Sequence, residues 1–401
     1  MHFVHFEDFF HPAAGYQLNL LARLQVQQGH RVTIVTSELH KIPRYVVDFF
    51  GADKVEEKDL KFTKDTGVEI KRVPLLGHYS GRSIYTPTVF SVVSKLKPDV
   101  LYVHGEDTLI GILSIWRSIF VRIPLVLDCH MLEMASENPF RVFFRIFYKC
   151  FVTPVIKYRN IPLIRVENSD YVEKCLGLPL SRTVLLSFGT DTNYFRPDVA
   201  ARARTRKEHG IESGAFVVIY AGKLDQGKGG KFFANAIREL ITTKSRGPVV
   251  FVIVGTASGN YGDEVEALFK QSENKILRFP TQAYFDLREF YQMADVAVFP
   301  RQCSMSFFEV QSCGLPVLGE QNEILRQRLA HENGMMFIPE NISSFREKIA
   351  AFGNQSSEDY REMSHNSRNF VLRTYDYVPI AAKFTEVMLS EANRFHISNT
   401  S

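Results

Sequence analysis

Short runs of β-branched and aliphatic residues recur along the chain, separated by longer stretches of mixed character. Val32–Val35, Val100–Val103 and Leu125–Leu127 lie in the first half, and Val217–Tyr220, Val249–Val254 and Val296–Phe299 in the second. Runs of this length without polar alternation suit strands buried on both faces, which belong to parallel sheets. Between them apolar positions recur at helical spacing, as with Leu18, Leu21, Ala22 and Leu24. Alternating strands and helices predict α/β domains. The two groups flank a stretch from Gly189 to Gly210 that holds Pro197 and a basic cluster, Arg202, Arg204, Arg206 and Lys207, and reads as a linker. Two similar domains are therefore expected, 1–190 and 191–375, each opening with strand, glycine-bearing loop and helix. Ligands of such open sheets bind at the carboxyl ends of the strands, so the active site is expected between the domains.

The chain has 401 residues, 45% of them hydrophobic, enough for more than one packed core. A formal net charge of +4 is small for this length and suggests no nucleic-acid partner. The five cysteines, Cys129, Cys150, Cys175, Cys303 and Cys313, are an odd number without zinc-type spacing, which points to reduced thiols in the cytoplasm. MHFVHFEDFF lacks the features of a signal peptide, and no uninterrupted apolar run of about 18 residues occurs, so no membrane span is expected. Phenylalanine, with 33 copies against one tryptophan, is concentrated in Phe140 to Lys149. On a helix over 140–158, Arg141, Arg145 and Lys149, spaced by four, form a basic stripe beside an aromatic face. That pattern suits a helix lying on the inner face of a membrane, and equally a core helix with one solvated face.

Three segments carry candidate chemistry. Ala221-Gly222-Lys223-Leu224-Asp225-Gln226-Gly227-Lys228-Gly229 follows a strand and leads into a helical pattern, Phe232 to Leu240. Lys223 and Lys228 on this glycine-rich loop can converge on one diphosphate, the assistance that loss of a nucleoside diphosphate needs; a solvated loop is the plain alternative. After the strand ending at Phe299, the loop Arg301 to Ser306 precedes FFEVQSCGLPV, a helix ended by Gly314. Backbone N–H groups of the loop, at Ser304, Met305 and Ser306, can face a diphosphate, and Glu309 can accept hydrogen bonds from both ribose hydroxyls. Glu309 also suits the helix dipole alone. In the first half Gly15 precedes a helix and allows an anion to approach the backbone; a tight turn explains it equally. His130, at the end of the strand Leu125–Leu127, can hydrogen-bond a substrate, and His104 is a second such position; a satisfied structural histidine is the other reading. No paired-carboxylate or nucleophile-base constellation stands out.

The order of these segments resembles the retaining family 4 glycosyltransferases of the GT-B fold. The likeness covers most of the chain: Ala14-Gly15, Gly29-His30, the junction Ser187 to Pro197, Gly222-Lys223-Leu224 with Lys228-Gly229, His331-Glu332-Asn333-Gly334, and Tyr375-Asp376-Tyr377. It implies two Rossmann-like domains, an N-terminal one for the acceptor with a C-terminal helix (376–401) packed back on it, and a C-terminal one for the nucleotide sugar. It also implies transfer with retention to a cell-surface glycan or lipid-linked acceptor by front-face attack, His130 near the reacting sugar, and no metal or other cofactor. The family's Glu-x7-Glu motif is half present: the second glutamate is Glu309, but Arg301 stands at the first position, and Gln302-Cys303-Ser304 replaces the following Gly-Phe-Gly. A cation at 301 suits an acidic donor sugar, or pairs with a nearby acid. The same departure allows a catalytically inactive GT-B protein that binds nucleotide or supports a partner transferase. A nucleotide-sugar epimerase of related architecture fits the junction and Lys228-Gly229 less well.

Overall fold

A computed structural model of the chain describes residues 1–38, 54–79, 82–130, 140–301 and 303–400. The chain divides into two units, Met1–Phe188 together with Val378–Ser401, and Gly189–Tyr377.

The first unit contains β1 (His2–Phe6), α1 (Gln17–Gln27), β2 (Arg31–Ser37), α2 (Val55–Thr66), β3 (Glu69–Val73), the hairpin β4 (Leu75–Tyr79) and β5 (Arg82–Tyr85), and α3 (Thr88–Leu96). It continues with β6 (Val100–Val103), α4 (Leu109–Arg117), β7 (Leu125–Cys129), α5 (Arg141–Phe147), a π-helical turn Tyr148–Val152, α6 (Thr153–Arg159), β8 (Leu163–Arg165), α7 (Tyr171–Leu176) and β9 (Thr183–Leu185). Its main sheet is parallel, in the order β3-β2-β1-β6-β7-β8-β9. Its inner strands β1, β2, β6, β7 and β8 are buried on both faces, while the edge strands β3 and β9 are partly exposed. Chain direction across the sheet reverses at β1, which pairs with β2 on one side and β6 on the other. The residues that follow β1, β6 and β7 therefore meet at one place on the sheet's carboxyl edge.

The second unit holds α8 (Val199–Glu208), β10 (Val217–Ala221), α9 (Gly230–Ala236), the short pair β11 (Thr242–Thr243) and β12 (Gly247–Pro248), β13 (Val250–Val254), α10 (Gly259–Lys270), β14 (Lys275–Phe279) and α11 (Leu287–Met293). Then come β15 (Val296–Phe299), α12 (Ser306–Ser312), β16 (Val317–Glu320), α13 (Glu323–Arg328), β17 (Gly334–Phe337), α14 (Ile342–Asn354) and α15 (Ser357–Thr374). The parallel order is β14-β13-β10-β15-β16-β17. Here the reversal falls at β10, so the loops after β10, β13 and β15 are neighbours. The last helix, α16 (Tyr377–Thr400), joins the first unit from Val378 on. Ala381, Phe384, Met388 and Ala392 on it are fully buried, and the Gln25 amide donates to Met388 Sδ at 3.2 Å.

Two expectations are corrected. The linker from Gly189 to Gly210 contains a helix, α8, capped by Asp198, whose Oδ1 accepts the Ala201 N–H at 2.9 Å. Two of its arginines turn inward: Arg206 donates to Asp295 Oδ2 at 2.8 Å and Arg202 to Asp295 Oδ1 at 2.5 Å. The helix expected over Phe232 to Leu240 stops at Ala236. The Asn274 side chain binds the Ile237 carbonyl at 2.8 Å and the Ile241 N–H at 2.9 Å. Those two groups would otherwise bond to each other as the next helical turn.

Candidate active site

In the second unit the glycine-rich loop is built tightly onto its neighbours. Gly222 N–H donates to Val254 at 2.9 Å and Leu224 N–H to Thr256 at 3.2 Å, which zips the loop after β10 to the one after β13. A Cβ on Gly255 would lie 1.8 Å from the Gly222 carbonyl oxygen, so only glycine permits this approach. Asp225 Oδ1 then accepts the Lys228 N–H at 2.9 Å and fixes the turn. Gly229 caps α9 at φ +75°, with Pro300 and Arg301 against its Cα. Burial lowers the Lys228 pKa and the nearby Lys223 lowers it further, while Cys303 and Asp225 oppose the shift. The two lysines are thus close enough for each to feel the other's charge.

The loop before α12 closes on the same place. Ser304 and Ser306 exchange a hydroxyl hydrogen bond at 2.7 Å, and Ser306 Oγ lies 3.5 Å from the Ala221 carbonyl. Met305 is the residue that caps α12; Gln302 lies outside the described residues. Glu309, in the first turn of α12, is almost fully buried and accepts the Tyr291 hydroxyl at 2.8 Å. Burial raises its pKa to about 7 against the opposing hydrogen bond from Tyr291. Arg301 is engaged: its guanidinium holds Glu340, with Nε–Oε1 at 3.0 Å, and donates to the Gln226 carbonyl at 3.0 Å. The paired reading of Arg301 is the one realised, and a cation already paired loses the reason to select an acidic sugar. Asn333 of the Asn-Gly segment is fully buried and exchanges hydrogen bonds with Gln311 on α12, at 3.0 and 3.1 Å. It braces the helix that carries Glu309.

In the first unit Gly15 lies in the loop between β1 and α1, just before the N-cap residue Tyr16. His130 follows β7, with 37% of its side chain exposed, and its Nε2 lies 3.0 Å from Asp128 Oδ2. His104 Nδ1 lies 2.8 Å from the same oxygen. Behind His104 stands His5, with Nδ1–Nε2 at 3.0 Å, and behind His5 stands the Gln25 carbonyl oxygen at 2.7 Å. Asp128 Oδ1 accepts the Gly105 N–H at 2.7 Å. The two strand-end histidines, 26 positions apart in sequence by their numbers, therefore share one fully buried carboxylate. Neither Asp128 nor His5 was singled out from the sequence. The signal for Asp128 was present, since alternate residues of a strand point to one side and an Asp-x-His end puts acid and imidazole together.

The aromatic segment is continuously helical from Arg141 to Arg159, but the π-helical turn after α5 interrupts the four-residue spacing of Arg141, Arg145 and Lys149. No residue of α5 is buried. Phe143 is 74% exposed, and Phe140, Ile146, Phe151 and Tyr158 are exposed with it. The segment is anchored through Tyr148, whose hydroxyl donates to the Glu106 carbonyl at 3.2 Å, and through Trp116 Nε1, which donates to the Phe151 carbonyl at 3.1 Å.

Comparison with known proteins bears on both units. The family model described as Glycosyl transferases group 1 matches residues 201–370, and that of the Glycosyl transferase 4-like domain matches residues 13–152. A D-inositol 3-phosphate glycosyltransferase of Pseudarthrobacter chlorophenolicus is 28% identical over 161 residues, 39% of this chain and 38% of that protein. The protein of that name from Acidothermus cellulolyticus is 33% identical over 141 residues, 32% of this chain and 31% of its own. The chain thus spans under two fifths of the length of these curated relatives. Among solved structures, a glycosyltransferase from Rickettsia africae superposes with a TM-score of 0.71 at 14% identity, covering 97% of this chain and 98% of that one. HepE of Anabaena, in complex with UDP and glucose, gives 0.70 at 17% identity over 97% and 100%.

Proposed function

The chain belongs to the group 1 glycosyltransferases of GT-B fold, and from that premise we propose that it moves a sugar, with retention, from a nucleotide-diphosphate donor to a glycan or lipid-linked acceptor. The observation that carries this reading is the cradle of the second unit. Lys223 and Lys228 share one environment beside the Ser304–Ser306 loop, one helical turn from the buried carboxylate of Glu309. Two cations suit the developing charge of a leaving diphosphate, and a carboxylate suits the paired hydroxyls of a ribose. Gly222, Lys223, Lys228, Ser304, Met305, Ser306 and Glu309 are assigned to the donor, Gly15 to substrate approach, and His130 to the reacting end. Arg301 binds the donor through the loop it holds: with Glu340 it supplies an ion pair, hence a carboxylate, beside the position where the motif's first glutamate is missing. That pairing favours an active enzyme over the inactive alternative. No metal enters the reading, since the lysines supply the positive charge.

The exposed aromatic surface of α5 to α6 carries Arg141, Lys149 and Lys157, all exposed, and matches the inner face of an anionic membrane. Lipid-linked acceptors would be met there. The reading is tested by offering the chain a panel of nucleotide sugars with lipid-linked and free glycan acceptors, following nucleotide release and reading the product anomer by NMR. Release with a retained anomer supports it. Binding of nucleoside diphosphates without release from any donor moves the conclusion to the non-catalytic alternative. In Lys228→Met the release rate falls by at least about 100-fold, the scale of losing one charge-stabilising group.

A further inference from the structure

We propose that Asp128 is a positioning residue that keeps His130 as a positively charged ring. His130 then serves bound substrate as a charged hydrogen-bond donor and takes no proton from it. This rests on the glycosyltransferase reading of the site.

The geometry leaves Asp128 little freedom. It is fully buried on β7, and Oδ1 is committed to the Gly105 N–H. Oδ2 stands 3.0 Å from His130 Nε2 and 2.8 Å from His104 Nδ1. A buried carboxylate at these distances attracts a proton onto the ring nitrogens that face it. The line from His104 through His5 to Gln25, ending on Met388, holds the rear ring in place. His130, the only one of the three rings with substantial exposure, is the end of this chain that substrate can reach.

The surroundings act in the same direction. Glu7 and Asp8 stand after β1, Glu106 and Asp107 beyond β6, and Asp128 on β7, against Arg82 on β5 and the rings of His104 and His130. Five carboxyl groups face one guanidinium and two imidazoles. Burial works against a charged His130, but Asp128, followed by Glu7 and Glu106, outweighs it and lifts the ring's pKa to about 9. Burial also raises Asp8 to about 7 and Glu106 to about 8. Both therefore gain charge as the solution turns alkaline, and hold the His130 proton further. Phe188, with its ring 5.6 Å from His130, adds no charge. A base near neutral pH needs a free lone pair, and a ring that keeps its second proton up to about pH 9 does not offer one.

The test is an NMR titration of the His130 ring in the full chain, assigned by the signal that disappears in His130→Gln. The midpoint is expected near pH 9. In Asp128→Asn, whose amide oxygen can still accept the Gly105 N–H, it should move acidward by about two units, toward the ordinary imidazole value. Glu7→Gln should move it the same way by less, and serves if Asp128→Asn fails to fold by circular dichroism. His104→Gln should leave it high, because Asp128 then serves His130 alone. A midpoint at or below 7 in the unmodified chain overturns the proposal, as does one unmoved in both Asp128→Asn and Glu7→Gln. With a donor that is turned over, the alkaline limb of the rate profile should travel with the ring in each variant; a limb that stays while the ring moves overturns the charged-donor role. If no donor is turned over, the functional reading fails alone, since the titration still decides the state of the ring.

Discussion

Glu309 shows at the scale of one residue what a buried carboxyl costs a fold. Its carboxyl is almost fully buried with one hydrogen bond from Tyr291, and burial lifts its pKa from 4.5 to about 7. A carboxyl titrating higher in the folded than in the unfolded chain contributes stability that is whole below about pH 4.5 and is lost as pH rises through about 7. The protein should therefore tolerate Glu309→Gln well. The amide keeps an oxygen for the Tyr291 hydroxyl and carries no charge to bury. At pH 8.5 the variant should be more stable than the parent by up to about 3 kcal/mol, and at pH 4.5 equal to it. Affinity for nucleoside diphosphates should nonetheless fall, because the amide replaces the charged acceptor. Thermal melts at the two pH values check the first part and calorimetric titration the second. A variant less stable at pH 8.5 would show that the carboxylate is needed by the fold rather than by a ligand.

The stretch from α5 through the π-helical turn to α6 is where a whole element departs from the logic of burial. A soluble surface rarely places Phe140, Phe143, Ile146, Phe151 and Tyr158 outward together. The element is nonetheless held in place, by Tyr148 beneath it and by Trp116 beside it. Fixed backbone with outward rings, beside Arg141, Lys149 and Lys157, is what the proposed contact with lipid would require. The unmodified chain should bind vesicles containing anionic lipid, more weakly as salt rises. Phe143→Ser with Ile146→Ser should weaken binding by at least about tenfold, since each side chain buried in lipid contributes roughly 1.5–3 kcal/mol. Because both side chains are exposed, the melting temperature should hardly move. Co-sedimentation of the two proteins decides it, and failure of the unmodified chain to bind anionic vesicles removes the membrane from the account.

At the scale of the whole molecule, what could be read from the sequence follows the range of the interaction. The strands were legible because buried parallel strands write themselves as local apolar runs, and all six runs are strands in the structure. The segments that carry Lys223, Lys228 and Glu309 could be picked out because each is short and has its own glycines. What escaped is polar and distant: the pairing of Arg301 with Glu340, 39 positions on, of Arg206 with Asp295, 89 on, and of His104 with His5, 99 back. No local spacing announces such partners, since only the fold brings them together. The longest of these reaches, Gln25 to Met388 across 363 positions, has a mechanical consequence. The first unit is not finished until the end of the chain returns to it, covering its helices with Ala381, Phe384, Met388 and Ala392. Ending the chain at Tyr377 would remove the burial of Phe384 and Met388 alone at a cost of about 5 kcal/mol, comparable with the net stability of a domain. The shortened protein should lose the melting transition of the first unit, and with it the fixed arrangement of His5, His104 and Asp128. The second unit has its own core, so it should keep its transition and, under the proposed function, its binding of nucleoside diphosphates. Differential scanning calorimetry with and without a nucleoside diphosphate separates the two units, because a ligand bound by one raises that unit's transition. If both transitions survive the deletion unchanged, the returning helix is an ornament of the first unit and not part of its core.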